Sequence, residues 1–161
     1  MKQKAVFIDR DGVINQEIGR YVTNLDDFVL NPGVLHGLRK LKAAGWMLIM
    51  ITNQGGISKG LYTKEKVDCL HGLLKEQLSR LQIDFDEIYI CPHHDAIEKC
   101  LCRKPNALLL EKAIARFNID TNQSVMIGDS ERDILAAESV GVRGIKVKSN
   151  ENFMKSIAEL L

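Results

Sequence analysis

The stretch AVFIDRDGVIN, residues 5–15, decides the fold. Four apolar residues, Ala5 to Ile8, run into Asp9; Arg10 follows, then Asp11 and Gly12. A continuous apolar run of this kind marks a strand buried on both faces, as in the middle of a parallel sheet, since a half-exposed strand would alternate. The strand therefore ends on two carboxylates two positions apart. In an extended chain their side chains leave on the same side, where they repel. A single aspartate at a strand end is ordinarily a turn or helix-capping residue. A pair in this position needs a further reason.

Outward from this stretch, the same pattern repeats. WMLIMIT (46–52) reads as a second buried strand, and EIYIC (87–91), SVMIGD (124–129) and GIKV (144–147) as three more strands. Helical segments separate them. One opens at Pro32-Gly33 and runs through Leu41 to a stop near Gly45. A long one is capped by Thr63, has Glu65 and Lys66 in its first turn, and places Val67, Leu70, Leu73, Leu74, Leu78 and Leu81 at helical spacing. The next begins at Pro105 and carries an apolar face from Leu108 to Phe117; another spans Arg132 to Val140 and stops at Gly141; the last covers Phe153 to Leu161. Cys69, alone on the long helix, reads as a small core residue. Strand–helix alternation predicts an α/β fold, a doubly wound (Rossmann-like) parallel sheet with helices on both faces. A chain of 161 residues without repeats or linkers is expected to form a single domain, 1–161.

In such sheets ligands bind beyond the carboxyl ends of the strands. Strand one ends at Asp9, strand two at Thr52-Asn53 and strand four at Gly128-Asp129, with Asp133 close behind. Carboxylates gathered on one rim call for a cation, and a hard, oxygen-ligated ion such as Mg²⁺ would leave room for a phosphate oxygen.

Composition narrows the function classes. A net charge of +1 supplies no field for nucleic acid, and 45% apolar with 27% charged residues is ordinary for a globular protein. No apolar run is long enough to span a bilayer and no signal-peptide core stands at the N-terminus, so no membrane partner and a cytoplasmic location are expected. Three of the four cysteines fall in CPHHDAIEKCLC, residues 91–102. Cys91, Cys100 and Cys102 with a histidine, His93 or His94, suit a closed tetrahedral Zn²⁺ site of structural type. Such a zinc-stabilised loop would run directly into Arg103 and Lys104.

The segments DRDGVIN, ITNQ, CRKP and GDSERD together resemble the four ordered motifs of the haloacid dehalogenase superfamily of phosphohydrolases. The resemblance spans Phe7 to about Gly144. It implies that Asp9 is the nucleophile, forming an aspartyl-phosphate, and that Asp11 is the general acid and then the base. It also implies that Asp9, Asp129 and the Asp11 backbone carbonyl hold catalytic Mg²⁺, with Asp133 supporting the ion's water shell. Thr52, Asn53, Gln54, Arg103 and Lys104 are expected around the phosphate. The family pattern selects His93 as the fourth zinc ligand.

The zinc loop makes the chain similar to the branch containing heptose 1,7-bisphosphate 7-phosphatases and histidinol-phosphate phosphatases. GRYVTNLDDFVLNPGV (19–34) and TNQGGISKGLYT (52–63) are more similar to the heptose enzymes. The expected substrate is thus a small phosphorylated sugar, with histidinol phosphate as the alternative. Ser130 stands where some heptose enzymes carry a lysine. There is no insertion large enough for a separate cap domain, so short loops must enclose the substrate: a flap near Tyr21 to Phe28 within 19–34, the Gly55-Gly56 segment and the zinc loop, with Arg103, Lys59 and the Gly55-Gly56 backbone as candidates for a second phosphate. A receiver domain would share the acidic rim but predicts neither Asp11 nor the cysteine loop. A monomer is expected.

Overall fold

The computed structural model describes residues Met1–Leu161. Strand β1 (Ala5–Ile8) is completely buried. It pairs in parallel with β2 (Met47–Asn53) on one side and β4 (Val125–Gly128) on the other. Strands β3 (Glu87–Cys91) and β5 (Arg143–Lys146) form the edges, giving five parallel strands in the order β3-β2-β1-β4-β5.

Successive strand residues point to opposite faces, and each face builds its own core. Val6, Ile8, Leu48, Met50, Val125 and Ile127 pack with Val34, Leu38 and Leu41 of α1 (Val34–Ala43), Leu74 and Leu78 of α2 (Lys64–Ser79), and Phe153 of α5 (Phe153–Ser156). Ala5, Phe7, Ile49, Ile51 and Met126 pack with Leu109, Leu110 and Ala113 of α3 (Leu108–Phe117), and Ala136 and Ala137 of α4 (Glu131–Glu138). The sheet is doubly wound, as the alternation predicts.

The chain moves outward from β1 through β2 to β3, then crosses back to place β4 beside β1. The direction of winding reverses between β1 and β4, and in open α/β sheets the crevice at such a switch point is the ligand site. Asp9 follows β1 there, and Asp129 follows β4. No helix is long and apolar enough to cross a membrane.

Several local expectations change. The fifth strand is present but shifted by one residue: β5 begins at Arg143, ends at Lys146, and is an edge whose residues are exposed or half-buried. The helix expected to open at Pro105 starts at Leu108 instead, leaving Pro105 in the preceding turn. The C-terminal helix breaks after Ser156 and ends as a 3₁₀ turn, Ala158–Leu160. Cys69 is exposed, not a core residue, and Leu81 lies beyond α2 and is also exposed. The Thr63 cap is present, its hydroxyl accepting from the Lys66 amide.

Candidate active site

The chain does not stay extended after β1. The carbonyl of Arg10 accepts from the amides of Val13, Ile14 and Asn15, so residues 10–15 wind into a tight turn. Asp9 and Asp11 consequently face different neighbours. Gly12 sits at φ +86, and a Cβ there would fall 2.0 Å from the Asp129 carboxylate. Only glycine lets the turn adopt this conformation while the β4 aspartate comes so close.

Asp9 accepts from Lys104 Nζ at 2.8 Å. The same ammonium meets Asp133 Oδ1 at 2.6 Å and the Ile51 carbonyl at 2.7 Å, so its three hydrogens have three acceptors. Burial by itself would lower Lys104, but Asp9 and Asp133 hold it above the ordinary lysine value. Asp133 has a second task. Its other oxygen accepts from the Ser130 amide while the Ser130 side chain caps α4, a reciprocal capping box. The helix N-terminus and the lysine therefore fix one carboxylate between them.

Asp11 is held separately. Arg10 Nη2 donates to both of its oxygens, at 2.8 and 3.1 Å, Asn15 Nδ2 donates at 2.9 Å, and Gln54 Nε2 at 3.0 Å. Arg10 is itself fully buried, with Nη1 3.3 Å from His71 Nε2. An arginine can only donate, so His71 accepts at Nε2 and is neutral. Burial, and next the Arg10 charge, push His71 down to about 3.

Oxygens of Asp9, Asp129 and Asp133 lie within 4.8 Å of one another. Burial pushes the Asp9 carboxyl up to about 7 against the pull of Lys104, and raises Asp129 against a hydrogen bond from Ser149. Lys104 is the cation paired with this cluster, bonding Asp9 and Asp133, and Asp129 has no ion-pair partner. A set of carboxylate oxygens so placed suits a hard divalent ion such as Mg²⁺.

A second donor cluster lies beyond β3. Cys91 Sγ is 3.1 Å from Cys102 Sγ, 3.6 Å from His93 Nδ1 and 3.8 Å from Cys100 Sγ, and His93 Nδ1 is 3.2 Å from Cys102 Sγ. A tetrahedral zinc with bonds of about 2.1–2.3 Å implies donor–donor edges of roughly 3.5–3.8 Å. The cluster is thus close to the required size, and its S₃N donor set fits zinc. It also touches the Arg103-Lys104 segment, because the Arg103 amide donates to Cys100 Sγ at 3.4 Å and Arg103 Nη1 to the His93 carbonyl at 3.1 Å.

A cleft of about 530 Å³ opens over the aspartates. Asp9, Asp11, Asn53, Arg103, Lys104, Asp129 and Asp133 all line it. Asn53 spans two elements, its side chain pairing with the Lys104 amide at 3.0 Å and carbonyl at 3.1 Å. Thr52 and Gln54 do not line the cleft. Both are 1% exposed, and Gln54 Nε2 donates to Thr52 Oγ1 at 2.8 Å. Lys59 sits over the Tyr21 ring rather than in the cleft wall. Tyr21 of the expected flap and Gly55 line the cleft, and Arg20, His94 and Arg132 line it without having been singled out. Arg132 was legible as a first-turn residue of the helix after Asp129; Arg20 and His94 depend on how loops fold and left no local signal.

Residues 101–158 match the HAD-hydrolase-like family. The chain is 41% identical over 152 residues to the D-glycero-beta-D-manno-heptose-1,7-bisphosphate 7-phosphatase of Haemophilus influenzae, covering 91% of this chain and 79% of that protein. It is 36% identical over 147 residues to the D-glycero-alpha-D-manno-heptose-1,7-bisphosphate 7-phosphatase of Photorhabdus laumondii, covering 88% and 80%. The crystal structure of D,D-heptose 1,7-bisphosphate phosphatase from B. bronchiseptica, complexed with magnesium and phosphate, superposes with a TM-score of 0.86 at 30% identity, over 98% of this chain and 87% of that one.

Proposed function

The chain belongs to the haloacid dehalogenase-like phosphohydrolases, and from that premise we propose that it removes the 7-phosphate of D-glycero-D-manno-heptose 1,7-bisphosphate in nucleotide-heptose biosynthesis. The observation that carries the reading is the division of the cleft. Its floor holds Asp9 against Lys104, and its walls present Arg20, Arg103 and Arg132, a suitable surface for a substrate anionic at both ends. The names of the relatives at 36–41% identity support the same substrate.

In this reading an Asp9 oxygen attacks the phosphorus in line. The P–O bond to the sugar breaks as Asp11 gives its proton to the departing oxygen. Water then attacks the aspartyl-phosphate, Asp11 takes the water's proton, and inorganic phosphate leaves with Asp9 restored. Lys104 favours the ionised form of Asp9 against the effect of burial and directs its carboxylate, while the Lys104–Asn53 pairing fixes the segment that carries it. Asp9, Asp129 and the Asp11 backbone carbonyl would hold Mg²⁺, which when bound supplies positive charge to the transferring phosphoryl group. Cys91, His93, Cys100 and Cys102 would hold structural Zn²⁺ and so brace Arg103. We read the chain as a monomer acting as a single domain; cysteines clustered to hold a metal rather than joined in disulfides support a reducing, cytoplasmic setting.

The test is phosphate release with Mg²⁺ from both anomers of heptose 1,7-bisphosphate and from histidinol phosphate, with the phosphorylated product identified. The expected result is preferential turnover of a heptose bisphosphate, leaving the 1-phosphate in place. Preference for histidinol phosphate would overturn the substrate assignment.

A further inference from the structure

Gln54 has no freedom to turn. Its Nε2 donates to Asp11 Oδ2 at 3.0 Å and Thr52 Oγ1 at 2.8 Å, while its Oε1 accepts from the Tyr62 hydroxyl at 2.7 Å. If the amide flipped, its carbonyl would face the Asp11 carboxylate and its NH₂ would face the phenol. Gln54 and Thr52 are 1% exposed and Tyr62 is 6% exposed, so water cannot replace a lost partner cheaply. Burial pushes the Tyr62 phenol up to about 12, which keeps the hydroxyl a donor at ordinary pH.

Tyr62 is equally fixed. Its ring packs directly against Gly56, where a Cβ would come within 2.1 Å of Cε1. On its other side it meets Tyr21 of the 19–34 flap, ring centroids 5.6 Å apart and inclined at 59°. A continuous chain of contacts thus runs from the substrate-facing flap through Tyr62 and Gln54 to the Asp11 carboxylate.

We propose that Tyr62 is a positioning residue for proton transfer by Asp11, setting the direction of its carboxylate through the Gln54 amide and tying it to the flap. The proposal rests on the reading of Asp11 as the general acid. Tyr62 does not line the cleft, and its hydroxyl donates to Gln54. Its effect is geometric: a proton donor displaced by about 1 Å can lose on the order of 100-fold in rate.

The discriminating readout is leaving-group dependence. kcat/KM for a covalent phosphatase reports only the steps through loss of the alcohol, so it isolates the proton delivered to the leaving oxygen. We would compare 4-nitrophenyl phosphate, whose phenolate leaves without a proton, with 4-methoxyphenyl phosphate, whose phenolate is far more basic. In Tyr62→Phe, which keeps the ring on Gly56 and Tyr21, the expected fall in kcat/KM is about 10-fold greater for the methoxyphenyl ester than for the nitrophenyl ester. Gln54→Met should reproduce the selective loss, and the double variant should add nothing, because both act through one hydrogen-bonded path. Asp11→Asn should show the same selectivity, larger. If Asp11→Asn is selective while Tyr62→Phe and Gln54→Met slow both esters equally or not at all, the positioning role is overturned and the acid assignment stands. If Asp11→Asn itself shows no selectivity, the acid assignment falls and the positioning role falls with it.

Discussion

Lys104 illustrates how much one residue can hold together. Its side chain is 2% exposed, yet its ammonium is saturated by Asp9, Asp133 and the Ile51 carbonyl. Replacing it with methionine would leave two carboxylates facing each other around an apolar stem. Lys104→Met is therefore expected to cost about 3–5 kcal/mol in urea unfolding as well as activity, and a stability loss under about 1 kcal/mol would show that the ion pairs contribute little net stabilisation. His71 gives a prediction with a sign. The folded state refuses its proton until about pH 3, whereas the unfolded chain takes it near pH 6.5. The unfolded state then binds more protons across that window, so the neutral histidine's contribution is intact above about pH 6.5 and is lost as pH falls toward 3, by at most about 1.4 kcal/mol per pH unit. Unfolding free energies at pH 7 and pH 5 should differ more in the wild type than in His71→Gln, which keeps an acceptor for Arg10 but cannot titrate. Equal differences would contradict the assignment of that titration to His71.

Among the elements, the 91–102 loop carries the clearest consequence. Its cysteine cluster sits one hydrogen bond from Arg103, and Arg103 is adjacent to Lys104. Metal removal should therefore do two things at once. A strong chelator, or Cys100→Ser, is expected to lower Tm by several degrees and to raise KM for the substrate before it lowers kcat, since the Arg103 wall of the cleft loosens first. Unchanged Tm and KM after demonstrated loss of zinc would contradict the bracing role. The elements also show where sequence patterns stop being informative. Interior strands were legible because continuous burial leaves a continuous apolar run, as in Ala5–Ile8. The edge strand β5 did not fit that rule, since one side of an edge meets solvent and Arg143 and Lys146 are free to be exposed. Pro105 suggested a helix start because proline is tolerated in a first turn, but the chain needs three more residues to leave the Lys104 position before α3 begins. Cys69 was misread because a small apolar residue on an amphipathic helix is ambiguous in angle; it falls on the solvent side of α2.

For the whole molecule, topology explains why distant segments meet. Reversal of winding between β1 and β4 brings Asp9 and Asp129 onto one crevice across more than a hundred residues of chain. That much followed from strand endings alone. The arrangement within the crevice did not. Spacing placed Asp9 and Asp11 on the same side of an extended strand, whereas the Arg10 turn gives each carboxylate its own set of partners. Likewise Thr52 and Gln54 belonged to the right motif but turn inward, supporting Asp11 rather than facing the cleft. The separation matters for the proposed mechanism, in which one carboxylate attacks while the other exchanges a proton. The most direct measurement of that division is rapid acid quenching after mixing protein, Mg²⁺ and heptose 1,7-bisphosphate, followed by mass mapping of protein-bound phosphate. The expected result is phosphate on Asp9 in the wild type, a larger amount in Asp11→Asn once formed because its hydrolysis is slowed, and none in Asp9→Asn. Turnover with no protein-bound phosphate in any of the three, or phosphate mapped to another residue, would contradict a covalent mechanism at Asp9.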